Sequence, residues 1–79
     1  MTDEELMREA LLEAGQAMSE GEVPVGAVLV KDGTIIARAH NRREQEHDPT
    51  SHAELICMQE AARKLGGWRL TGCMVYVTL

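Results

Sequence analysis

A small α/β domain, with a sheet covered by helices in two or three layers, is the fold class these 79 residues predict. Three observations carry it. The elements read in the order helix, strand, strand, helix, strand. An Asp-Gly turn joins the first two strands. The third strand follows a crossover helix, which most naturally sets it parallel to one of the first two. The length allows one small domain at most, of marginal size for a buried core. With Trp68, Tyr76 and no Phe, that core must be aliphatic, and no aromatic array is available for stacking bases.

The first helix opens on Thr2 and Glu5, three apart as in a capping box, with acidic residues crowding the first turn. Leu6, Ala10, Ala14 and Ala17 recur at helical spacing, with Met7, Leu11 and Met18 beside them, and Gly21 marks the end. After Pro24 the run Val25-Gly26-Ala27-Val28-Leu29-Val30 is apolar without alternation, which suits a strand buried on both faces. Lys31-Asp32-Gly33-Thr34 is the hairpin turn, and Thr34–Ala39 is the antiparallel return strand. Residues 40–50 are polar and read as a loop.

A second helix follows, with Ser51 and Glu54 at capping-box spacing and Leu55, Met58, Ala62 and Leu65 as one buried stripe. Gly66-Gly67 ends it through a left-handed cap. Cys73–Leu79 reads as the third strand.

The net charge of −5 does not advertise nucleic-acid binding, yet it is unevenly spread: residues 1–22 hold seven carboxylates against Arg8 alone. Arg42 and Arg43 are the cations placed to meet phosphate, against the commoner use of arginine as a solvated surface charge. Cys57 and Cys73 form no Cys-x-x-Cys, so a reduced, intracellular protein is the simplest expectation. No apolar run reaches signal-peptide or membrane-spanning length, so a cytoplasmic protein with no membrane partner is expected.

His52-Ala53-Glu54, at the start of the second helix, is the cluster with chemistry in it. Zinc deaminases use His-x-Glu followed later by Pro-Cys-x-x-Cys. An imidazole and two thiolates hold the metal and leave a fourth position for water, whose pKa the metal lowers. The glutamate moves protons and is not a ligand. Side chains at the first turn tilt towards the helix N-terminus, so both can address a site beyond the helix end. The tripeptide alone is a common chance match, with Glu54 serving only as the cap partner of Ser51 and His52 only as a first-turn polar residue.

Several longer blocks add to it. Glu22-Val23-Pro24-Val25-Gly26-Ala27-Val28, His40-Asn41-Arg42, His47-Asp48-Pro49-Thr50, His52-Ala53-Glu54, Gly67-Trp68-Arg69-Leu70, Leu70-Thr71-Gly72-Cys73 and Tyr76-Val77-Thr78-Leu79 stand in the order and spacing of one family. Over essentially the whole chain after its first helix, the sequence resembles the bacterial tRNA adenosine deaminases, zinc enzymes of the cytidine/deoxycytidylate deaminase type. The resemblance implies a cytidine-deaminase-like three-layer α/β/α sandwich, truncated after the third strand. Residues 1–79 would be the N-terminal half of a single deaminase domain. The implied activity is zinc-dependent hydrolytic deamination of adenosine to inosine at the tRNA wobble position. The implied partners are the tRNA anticodon stem-loop and a second copy in a homodimer.

Residue by residue, the resemblance makes His52 a zinc ligand, Glu54 the general acid/base, Asn41 a contact to the target base and Val25 a wall of the base pocket. Arg42 and Arg43 become candidate nucleic-acid backbone contacts. The two cysteine ligands are expected beyond the chain end, because Tyr-Val-Thr-Leu in the family runs directly into Glu-Pro-Cys-x-x-Cys. Cys57 does not substitute, since five residues after His52 it lies about 140° around the helix. Cys73 opens the third strand, whereas the family's ligands follow it. Both cysteines read as core. Ser51 stands where many relatives have Ala, and it is compatible with an N-cap.

Guanine and cytosine deaminases share the zinc chemistry and His-Ala-Glu; Val-Pro-Val-Gly in place of Pro-Phe-Gly favours the tRNA type. A non-catalytic truncated remnant is the third reading. These 79 residues alone are not expected to deaminate, because one protein ligand does not make a zinc site.

Overall fold

The capping box at Thr2 starts α1 (Asp3–Ser19): Thr2 N donates to Glu5 Oε1 at 2.9 Å and Glu5 N to Thr2 Oγ1 at 3.1 Å. Two donors that a first helical turn leaves unpaired are thereby satisfied. The computed structural model describes residues 1–48 and 51–78. Pro49, Thr50 and Leu79, which belong to two of the sequence blocks, lie outside the described residues. As the spacing predicts, α1 buries Leu6, Ala10, Ala14 and Ala17, and it leaves Leu11 and Met18 exposed.

Strands β1 (Gly26–Lys31) and β2 (Thr34–His40) pair antiparallel around Asp32 and Gly33, both at positive φ. Such a two-residue loop requires that conformation at both positions. The register shifts between Leu29 and Val30, leaving Ile36 as an extra residue on β2. The segment expected to be all loop contains a short helix, α2 (Arg43–Glu46), and His40 belongs to β2. Helix α3 (Ala53–Leu65) ends at Gly66 in the left-handed region, with φ 75°. Strand β3 (Cys73–Val77) completes a sheet of order β2-β1-β3.

β3 pairs antiparallel with β1. The expected parallel relationship therefore holds in direction only. β3 runs parallel to β2 because both oppose β1, but α3 carries the chain across β1 to its far side, so the ladder neighbour is β1.

Successive side chains of β1 point to opposite faces. Val28 and Val30 pack with Leu6 and Ala10 of α1, while Ala27 and Leu29 pack with Ala53, Cys57 and Ala61 of α3. That alternation makes three layers, helix on sheet on helix. Val28 and Leu29 are both fully buried, each contributing about 1.5–3 kcal/mol to folding.

The face of α3 differs from expectation. Ala53, Cys57 and Ala61 are buried, whereas Leu55, Met58 and Leu65 stay 37–38% exposed. The apolar arc on this helix is wide, and periodicity alone cannot say which part of it meets the sheet. Small residues allow the closest approach, and they took the contact.

Gly26 shows the same logic on the α1 side. A Cβ there would stand 2.1 Å from the Ala10 carbonyl oxygen and 2.4 Å from the Ala14 nitrogen. Only glycine lets helix and strand backbones meet this closely.

Candidate active site

The C-terminal end of β2, the start of β1 and the N-terminus of α3 converge on Asn41. This residue is 3% exposed. Its backbone N donates to Val25 O at 3.1 Å, and its Oδ1 accepts from Ala53 N at 2.8 Å. Asn41 therefore caps α3 from twelve positions upstream. The capping box expected of Ser51 and Glu54 does not form. Ser51 Oγ donates instead to Glu46 Oε1 at 2.6 Å, and His52 occupies the N-cap with extended backbone and no side-chain cap bond. The local spacing was compatible with a cap, but a buried amide oxygen from another element took the donor.

His52 and Glu54 project at this same end. His52 Nδ1 lies 3.7 Å from Glu54 Oε1, within ion-pair range and beyond a hydrogen bond, and each side chain is 38% exposed. Glu54 sits in the first turn of α3, where the helix dipole favours negative charge. Val25 is half-buried and packs against the cluster that holds Ala53 and Cys57. Val25, Asn41 and Ala53 are thus linked by consecutive hydrogen bonds, with His52 and Glu54 on either side of Ala53.

The two arginines behave differently. Arg42 N donates to Ser51 O at 3.0 Å, while Arg42 Nε stands 3.4 Å from Glu46 Oε2 without hydrogen-bond alignment. Arg43 is exposed.

Sequence reasoning missed the residues that hold this loop. Glu22 is 6% exposed, and its carboxylate accepts from Glu44 N at 3.2 Å and Gln45 N at 2.9 Å. Glu20 accepts from Gln45 Nε2 at 2.6 Å and faces His40 Nε2 at 2.9 Å. His40 Nδ1 faces Glu13 Oε1 at 2.9 Å. Only a doubly protonated imidazole donates to both carboxylates. Burial opposes that charge, but the hydrogen bonds to Glu13 and Glu20 outweigh it and raise the His40 pKa above the ordinary imidazole value. The hydrogen bond from Gln45, then that from His40, lowers the pKa of Glu20. In the sequence these glutamates were part of an undifferentiated acidic stretch; the one available signal was the position of Glu22 directly before Val-Pro-Val-Gly.

Among the described residues no three His, Cys, Asp or Glu side chains gather as a metal site. Cys57 is fully buried, its thiol donates to Ala27 O at 3.4 Å, and burial pushes its pKa up to about 12. Such a thiol is ill suited to act as a thiolate ligand. Cys73 is half-buried against the same cluster. His52 fits one corner of a tetrahedral zinc site, and the described residues do not fill the others. The end of β3 lies alongside this region: Thr78 N donates to Gly26 O and Gly26 N to Thr78 Oγ1, both at 2.9 Å. A hollow of about 120 Å³ beside Ile35, Arg38, Glu60 and Lys64 lies further along α3, away from His52.

The sequence profile of the cytidine and deoxycytidylate deaminase zinc-binding region matches residues 1–79. The tRNA-specific adenosine deaminase of Bacillus subtilis (strain 168) is 56% identical over 80 residues, which cover all of this chain and 50% of that protein. A structure from a study of A-to-I editing by tRNA A34 deaminases at the wobble position superposes with a TM-score of 0.92 at 47% identity, over 95% of this chain and 54% of that one. The X-ray structure of guanine deaminase from Bacillus subtilis superposes with a TM-score of 0.93 at 37% identity, over 98% of this chain and 50% of that one. The chain spans about half the length of the curated relatives it matches.

Proposed function

The chain belongs to the cytidine and deoxycytidylate deaminase zinc-binding family, and from that premise we propose that it is the N-terminal half of a hydrolytic deaminase converting adenosine to inosine at the wobble position of tRNA. The observation that carries the reading is the placement of His52 and Glu54 together at the half-open N-terminus of α3. Fold does not separate the adenosine and guanine readings, because the two superpositions are nearly equal. Sequence supports the adenosine reading: identity is 47% with the structure from the tRNA A34 deaminase study and 37% with the guanine deaminase.

In this reading water replaces the exocyclic amine of adenine, and ammonia leaves. Glu54 takes one proton from the water and passes it to the ring nitrogen as the water oxygen bonds to the ring carbon, then takes the remaining hydroxyl proton and passes it to the amine, which leaves as ammonia as the C–N bond breaks. His52 would offer one imidazole donor to zinc, and the thiolate donors of such a site would be cysteines other than Cys57 and Cys73. Zinc, when bound, supplies the lowered pKa that makes water nucleophilic at neutral pH. Asn41 and Val25 line the side of the site where the base enters. Arg43 is exposed and offers charge to the phosphate backbone, whereas Arg42 is partly engaged by Glu46.

The proposed partners are the anticodon stem-loop and a second copy of the chain, for which the exposed Leu55, Met58 and Leu65 of α3 supply an apolar face. No helix among the described residues is long and apolar enough to cross a membrane. The cytoplasm is the proposed location, where tRNA is found.

The test is a substrate panel of an anticodon stem-loop, guanine and cytosine, presented to the full protein that carries this chain. Inosine at the wobble adenosine supports the reading. Guanine turnover without inosine overturns it in favour of the guanine deaminase. Absence of turnover together with absence of bound zinc overturns it in favour of a non-catalytic protein.

A further inference from the structure

The geometry points to Glu22 as a positioning residue: its buried carboxylate, anchored to the end of α1, sets the α2 segment and through it the placement of Asn41, His52 and Glu54. The consequence for activity rests on the deaminase reading above; the consequence for the loop does not.

Glu22 is fixed at its own backbone. Glu22 N donates to Ala17 O at 2.9 Å, just after Gly21 turns the chain at φ 79°. The side chain then reaches across to the first turn of α2 and takes both the Glu44 and Gln45 amides. Glu20, two residues earlier, takes the Gln45 side chain. The short helix is tied to α1 by two carboxylates.

From α2 the constraint runs on to the site. Glu46, its last residue, accepts from Ser51 Oγ, and Ser51 O accepts from Arg42 N. Asn41 Oδ1 then holds Ala53 N, between His52 and Glu54. A helix of four residues with no buried side chain has no packing of its own to fix it. Its position depends on these polar ties.

The carboxylate is required rather than merely a polar group. Two backbone donors converge on one side chain, and only a carboxylate offers an acceptor oxygen to each without also carrying a donor. Hydrogen bonds to an ionised acceptor are roughly twice as strong as neutral ones. A glutamine would turn its NH2 towards one of the amides, leaving a buried donor unmet.

The experiment has two readouts on Glu22→Gln. Amide hydrogen exchange in the full protein that carries this chain is expected to accelerate about tenfold or more at Glu44, Gln45 and Ala53, with Val28 and Leu29 unchanged. In the full protein, kcat on the anticodon stem-loop is expected to fall about tenfold or more, with KM changing less. Glu22→Asp keeps the charge on a shorter arm and should recover part of both. Gln45→Ala, which removes only the Glu20 tie, should give the same pattern at smaller amplitude and serves if Glu22→Gln does not fold. Exchange at Ala53 that stays at the wild-type rate, or that rises in step with Val28 and Leu29, overturns the inference. If the wild-type protein forms no inosine, the deaminase reading fails while the exchange result still decides the role of Glu22.

Discussion

Helix α1 meets the sheet with backbones nearly touching at Gly26, and the polar groups on that side are paired with one another. Arg38 bonds Glu9 at 3.0 Å and Glu13 at 2.9 Å, and His40 lies between Glu13 and Glu20. Helix α3 meets the opposite face through Ala53, Cys57 and Ala61, but the two polar side chains at its N-terminus stand 3.7 Å apart and half open to solvent. Groups whose hydrogen-bonding capacity is used up inside the protein are poor reagents. In the deaminase reading proposed above, the incompletely engaged pair is the one that meets the substrate. One helical layer therefore spends its polar groups within the fold, and the end of the other keeps two that are only partly engaged.

The contrast is broken most severely by Glu54→Gln. In the full protein this change should lower deamination about 10²–10⁴-fold, the usual contribution of a general acid/base. Because Glu54 is half-exposed and makes no close bond, unfolding free energy should move by no more than about 0.5 kcal/mol; a large loss of stability would place Glu54 in the fold instead. Gly26→Ala is the opposite case. A methyl group forced against the α1 backbone should cost about 3 kcal/mol or more in denaturant titration, at the upper end of overpacking effects. Full tolerance would show that α1 does not seat as described.

Asn41→Ala sharpens the boundary between the two regions, since it removes the α3 cap at the site itself. A loss of about 1–2 kcal/mol is expected, read as a lowered denaturation midpoint.

The smallest effect depends on pH. The raised pKa of His40 means that its contribution is complete below the ordinary imidazole value and is lost as pH rises through the folded value. The lowered pKa of Glu20 means that its contribution is complete above the ordinary carboxylate value and is lost as pH falls through the folded value. Both are fully present between pH 4.5 and 6.5. The difference in melting temperature between wild type and His40→Gln should therefore be larger at about pH 6 than at about pH 9. A difference that does not change with pH would mean that the imidazole is not charged in the fold.

What could be read from the sequence was local. The α1 stripe, the Thr2 capping box, the Asp32-Gly33 turn and the Gly66 cap each follow from residues within a few positions of one another, and the structure contains all four. What could not be read was the choice among locally equivalent options. Two arcs of α3 were apolar, and packing distance to the sheet selected the small one. Ser51 was a competent cap, and Asn41 displaced it from across the fold. β3 had two strands to join, and the crossover set its neighbour. Glu22 looked like one acid among seven, and only its burial against two amides distinguishes it. At the candidate site, a motif singled out His52 and Glu54, while the hydrogen bond to Ala53 N between them comes from Asn41, twelve positions upstream.

The most direct test of this division of labour is to compare wild type with His52→Ala in the full protein, recording wobble-inosine formation with zinc present and thermal melting after chelation, since loss of a zinc ligand by itself lowers the melting temperature of the metal-bound protein. The account predicts that inosine formation is lost while the melting transition stays where it was. Retained inosine formation, or a loss that merely tracks a collapse in melting temperature, would contradict it.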